Sequence, residues 1–162
     1  MPDTIPANGH TTLGSLTRLP VHRVLIVANQ TVISSALIAE LQDRAKRGPV
    51  AFHLVVPALN SRLRHWLSDT DDAVALARRR GEAAVAVLKT HGLPISVEIG
   101  DSVPLLAIGD ALSQFDADEI VISTPPPSRS HWLEHNLVNL ARLSFKIPVR
   151  HVIAGEEVAR AA

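Results

Sequence analysis

Apolar residues fall into short runs separated by longer stretches with helical spacing. Val24-Leu25-Ile26-Val27-Ala28 is continuous and rich in branched side chains, too short for a helix, and reads as a buried strand. From Thr31 onward, Ile33, Leu37, Leu41 and Ala45 recur at i, i+4 spacing, which predicts a helix stopped by Gly48-Pro49. Val50–Val56 is a second buried strand closed by Pro57, and a long polar connection follows over residues 57–70. Asp69 to Asp72 place negative charge at the positive end of the next helix, which runs to about Thr90 with Val74, Ala77, Gly81, Ala84 and Leu88 on one face. Ile95, Val97 and Ile99 alternate with polar residues, as in a strand with one wet face near a sheet edge. Asp101 and Ser102 precede Pro104, an N-terminal helix signal, and Leu105, Ile108, Leu112 and Phe115 form the inward stripe. Ile120–Ile122 is a fourth strand, and Ser123–Ser130 a proline-rich loop. His131–Phe145 is a last helix with Leu133, Leu137, Leu140 and Ala141 inward, and Pro148–Ile153 a fifth strand.

Five strands alternating with four helices imply right-handed βαβ crossovers and a parallel sheet covered on both faces, an α/β Rossmann-like architecture. The periodicity leaves the strand order open. Residues 1–20 read as a flexible tail, 21–154 as the folded domain and 155–162 as a fraying end.

Composition narrows the classes. The chain has 162 residues, 46% hydrophobic and 20% charged, a globular balance. Sixteen basic and sixteen acidic residues cancel, which argues against a dedicated nucleic-acid binder or a polybasic membrane-surface protein. There is no cysteine, so disulfide frameworks, thiolate metal sites and cysteine nucleophiles are excluded. No apolar run approaches the roughly 18 residues a membrane helix needs. The opening residues lack a basic-then-apolar order, so the expectation is a cytoplasmic protein.

In open α/β sheets ligands bind beyond the carboxyl ends of the strands, where strand order reverses. Two strand ends are rich in polar and turn residues: Asn29-Gln30-Thr31 after the first strand, and Ser123, Thr124, Ser128, Arg129 and Ser130 after the fourth. The second group leads into a helix N-terminus, where unpaired amides and the dipole favour anions and Arg129 can pair a phosphate. Its bland reading is a serine N-cap beside a solvated charge. Pro125-Pro126-Pro127 also removes three amide donors from the loop. Val55 to Pro57, with Val56 and Pro57 foremost, would flank the apolar part of a ligand.

Several spots in the chain resemble the universal stress protein family, over about residues 21–154. Val24–Thr31 is similar to that family's first strand and turn. Gly100-Asp101, a helix, and Ala117-Asp118-Glu119-Ile120-Val121-Ile122-Ser123 resemble its Gly-Asp, helix and Ala-Asp run into strand four. Lys146-Ile147-Pro148-Val149 is similar to the start of its last strand. Val56–Trp66 and Ile122–Leu133 resemble a divergent, actinobacterial-type branch. The resemblance implies strand order 3-2-1-4-5, a homodimer joined through the last strand (148–153), and a non-enzymatic stress-response or regulatory role.

Departures from the family bear on the ligand. Its ATP-binding members carry Gly-x2-Gly-x9-Gly-Ser/Thr after strand four, whereas positions 123–146 here hold no glycine. Asn29 and Gln30 stand where the family has Asp and Gly. The cofactor is therefore unassigned: an AMP- or ATP-like nucleotide, or another small anionic ligand, held outside the usual ATP mode.

Other patterns in the chain allow other readings. His131-Trp132-Leu133-Glu134-His135 matches H-x-x-E-H, which makes a zinc-dependent hydrolase through His131, Glu134 and His135 one alternative. An interaction or dimerisation module with no ligand is another. His53, inside an apolar strand, reads as a core histidine bonded to backbone. Arg62, Arg64, His65 and Trp66 could meet a phosphate or base but also suit a loop of snorkelled side chains. Arg78-Arg79-Arg80 reads as a solvated helix face. Asp69, Asp71 and Asp72 read as helix-start charge rather than a cation site.

Overall fold

The computed structural model describes residues 20–28, 33–58, 70–126 and 132–155, with the side chains of Thr70 and of residues 132–135 outside that set. The elements run β1 (His22–Ala28), α1 (Ser35–Arg47), β2 (Val50–Pro57), α2 (Thr70–Thr90), β3 (Ile95–Gly100), α3 (Pro104–Gln114), β4 (Glu119–Thr124), α4 (Trp132–Ser144) and β5 (Val149–Ile153). All four strand pairs are parallel, in the order β3-β2-β1-β4-β5.

Crossover handedness explains the two layers. The chain steps outward from β1 to β2 to β3 with α1 and α2 on one face, then returns past β1 to β4 and β5 with α3 and α4 on the other. Leu37 and Leu41 of α1 and Ala77, Ala84 and Leu88 of α2 pack with Val24, Ile26, Leu54 and Val121 in the first core. Ala107, Ile108 and Ala111 of α3 and Leu137, Val138 and Ala141 of α4 pack with Leu25, Val55, Ile120 and Ile122 in the second. Central strands β1 and β4 contribute alternate residues to both cores, which is why they read as continuous apolar runs. Edge strand β3 keeps the wet face its alternation predicts.

Local chemistry moves some boundaries. The first helix starts at Ser35 rather than in the Thr31 region, because Ser34 adopts an extended conformation and its Oγ accepts from the Leu37 amide at 3.1 Å. Ile33 packs on the first core from outside the helix. At α3, Pro104 opens the helix as expected. Asp101 acts one step earlier than a cap, its Oδ1 accepting from the Val103 amide at 2.7 Å. Leu140 is 37% exposed, so the inward stripe of α4 passes instead through Leu137, Val138 and Ala141. The expectations for residues 1–19 and 156–162 lie outside the described residues.

Two glycines allow close layer contact. Gly100 ends β3 where α3 crosses it, and a Cβ there would sit 2.6 Å from the Ala107 Cβ. A Cβ on Gly81 would sit 2.9 Å from Val97 Cγ2, so α2 approaches β3 just as closely.

Candidate functional site

The strand order sets the switch point between β1 and β4, whose chains leave toward opposite faces of the sheet. Register places Ala28 beside Ser123 at the carboxyl end of that pair. Strands β1 and β4 therefore end on adjacent tips. Asn29, Gln30, Thr31, Ser128, Arg129 and Ser130 themselves lie outside the described residues, as do the Arg62–Trp66 segment and Asp69.

Four of the candidate residues can be placed. Ser123 is 3% exposed, and its Oγ has no hydrogen-bond partner among the described residues. By strand alternation it shares the α1 face with Val121. Thr124 projects to the opposite face, where its Oγ1 lies 2.7 Å from Nε2 of His151 on β5. Val56 is built into the first core. Pro57 is buried and pairs in register with Gly100, and the Ala58 amide continues that ladder by donating to the Gly100 carbonyl at 3.2 Å. The carboxyl end of the sheet thus presents Ser123 as a buried hydroxyl with an unmet hydrogen bond, while Thr124 is engaged elsewhere.

The strongest electrostatics lie at the opposite end. Glu119, first residue of β4, accepts from Arg44 Nε at 2.9 Å and Nη2 at 2.5 Å, and His22 Nε2 stands 3.3 Å away. Glu40 joins Arg44 at 3.1 Å to Arg150 of β5 at 2.6 Å. Burial pushes the Glu119 carboxyl pKa upward, but hydrogen bonds from Arg44 and His22 and the Arg44 charge outweigh it, and the net shift is downward. Asp118 accepts from the Arg23 amide at 2.8 Å and its own amide donates to the Arg23 carbonyl, clasping β1 to β4. The Ala117-Asp118-Glu119 run is therefore a structural lock at the amino end, remote from the switch point. Only the Glu40/Arg44 spacing hinted at it in the sequence; the partners on β1, β4 and β5 are joined by the fold alone.

His53 is half-buried on the second face and takes side-chain partners rather than a backbone one. Its Nδ1 lies 2.7 Å from Ser96 Oγ, its Nε2 3.2 Å from Glu98 Oε2, and its ring stacks on Phe115 with centroids 5.1 Å apart. Strand pairing sets His53 directly opposite Ser96, so the wet face of β3 supplies what an apolar core could not. Arg23 covers the same Phe115 ring at 4.4 Å.

The side chains of His131, Glu134 and His135 lie outside the described residues. Among the described residues no group of three or more His, Asp or Glu could hold a metal, and no helix is long and apolar enough to cross a membrane.

The geometry defines a doubly wound α/β domain, a class of fold in which ligands bind at the carboxyl ends of the strands. No family model matches the chain, and no curated protein does. Among solved structures it is similar to a protein from the universal stress protein family of Burkholderia pseudomallei. The identity is 17%, over 80% of this chain and 94% of that chain, with a TM-score of 0.48.

Proposed function

We propose that this chain is a non-enzymatic, universal stress protein-like module of the cytoplasm. It binds a nucleotide or another small anionic ligand where β1 and β4 part, outside the usual ATP mode. The observation that carries the reading is Ser123: a hydroxyl buried at the switch point beside Ala28, with no partner among the described residues. An unpaired buried hydroxyl costs about 1–3 kcal/mol, and a ligand that accepts or donates there recovers it. The glycine-free stretch over 123–146 argues for a ligand held by side chains rather than by a triphosphate cradle of backbone amides.

A homodimer through β5 is part of the same proposal. That strand lies at the sheet edge. The Ala154 amide donates inward to the Thr124 carbonyl at 2.7 Å, so by alternation the Ile153 amide points outward, available to a second copy.

Thermal-shift titration with ATP, ADP, AMP and cyclic nucleotides tests the ligand site. A rise of several degrees that disappears in Arg129→Ala is expected for a bound nucleotide. Ser123→Ala should weaken that binding while leaving the unliganded protein as stable or more so. Silence across the panel, together with a destabilised Ser123→Ala protein, would leave only the interaction-module alternative.

A further inference from the structure

A cleft lies one strand over from the switch point, on the opposite face of the sheet from Ser123. Thr124 and His151, joined at 2.7 Å, border this cleft of about 270 Å³ between β4, β5 and α4. From α4, Asn139 and Arg142 line it, three residues apart and so on one helix face. Val138, Pro125 and Ile153 supply an apolar wall.

The charge of this cleft comes from Arg142. Arg44, Arg47 and Arg150 each pair with a carboxylate. Among the described residues Arg142 forms no ion pair and no acidic side chain lines the cleft. One guanidinium without a counter-ion, an amide, an imidazole–hydroxyl pair and an apolar wall complement a particular kind of molecule. The guanidinium fork matches a carboxylate in geometry and charge, the amide adds a donor, and the wall takes a short hydrocarbon. The volume falls just under the roughly 300–1,000 Å³ typical of drug-sized ligand pockets, so only a small molecule fits.

We propose that this cleft binds a small organic carboxylate with a short apolar tail. Arg142 holds the carboxylate, Asn139 adds a hydrogen bond, and Val138, Pro125 and Ile153 cover the tail. The Thr124–His151 pair lines the site beside it. Inorganic phosphate would leave the apolar wall uncovered and is the weaker fit. The inference is independent of the reading of the β1/β4 crevice, because the cleft lies on the other face and uses neither Ser123 nor Arg129.

Isovalerate and benzoate, titrated into the isotopically labelled full chain and followed by amide NMR, test it. Isovaleramide and benzamide serve as neutral isosteres and inorganic phosphate as the bare anion. The expected result is saturable shifts gathered at Val138, Asn139, Arg142 and His151, with a Kd of about 1 mM or tighter. Arg142→Gln should weaken binding about tenfold or more with an unchanged melting temperature, since Arg142 is exposed and unpaired. Asn139→Ala should weaken it by a smaller factor. The proposal is overturned if nothing saturates by about 20 mM, if the amides or phosphate bind as well as the acids, or if Arg142→Gln binds like the parent.

Discussion

Gly100 offers a sharp test of how α3 is seated over the carboxyl end of the sheet. An added methyl carbon would lie 2.6 Å from Ala107 Cβ and 2.9 Å from Val55 Cγ1, where unstrained carbons keep about 3.5–4.0 Å. Ala107 and Val55 are both fully buried, so no flexible side-chain tip can yield, and α3 must retreat from β3 by about 1 Å. Overpacking of this kind costs about 1–3 kcal/mol, and two contacts this short put Gly100→Ala at about 2–3 kcal/mol. At this chain length that lowers Tm by about 5–10 °C. Gly109 is the matched control: it lies within α3, but a Cβ there meets nothing within 4 Å. Gly109→Ala should therefore stabilise by about 0.5–1 kcal/mol through helix propensity alone. Urea denaturation followed by far-UV circular dichroism reads both, as shifts in midpoint at constant slope. Adding Ala107→Gly to Gly100→Ala should recover part of the loss, because the shortest contact disappears. A Gly100→Ala protein within about 0.5 kcal/mol of the parent, or two glycines that respond with the same sign, would refute the packing argument.

Two further outcomes follow from the amino end of β4 and from edge strand β5. The Glu119 carboxyl is held below its ordinary 4.5, so its stabilising contribution is present above that value and is lost as the pH falls through the lower folded pKa. Parent and Glu119→Gln should thus differ by about 1–2 kcal/mol at neutral pH and converge in acid, as read by urea midpoints across pH; a gap that widens in acid contradicts the assignment. Ile153→Pro removes an outward amide from β5 while leaving the inward ladder to β4 intact, and light scattering should then show monomer where the parent is a dimer. A parent that is already monomeric, or a variant that stays dimeric, removes β5 as the joint.

Much of this architecture was written in the order of residues. Continuous runs such as Val24–Ala28 and Ile120–Ile122 mark strands covered on both faces, and the alternation at Ile95–Ile99 marks an edge, because side-chain period depends only on local backbone geometry. The helix stops at Gly48-Pro49 and the start at Pro104 are equally local. Strand order was not local: it came from the family resemblance, and the sheet bears it out. What the sequence could not supply were contacts between distant segments. Thr124 and Ser123 look interchangeable along the chain, yet the pleat sends one to His151 on β5 and leaves the other buried without a partner among the described residues. His53 reads as a core histidine until β3 brings Ser96 and Glu98 across from it. Arg142, Asn139 and His151 show no pattern of their own and meet only because α4 crosses β5. Local preference specifies each element; which side chains share a space depends on register and layer packing, and these exist only once the chain has closed on itself.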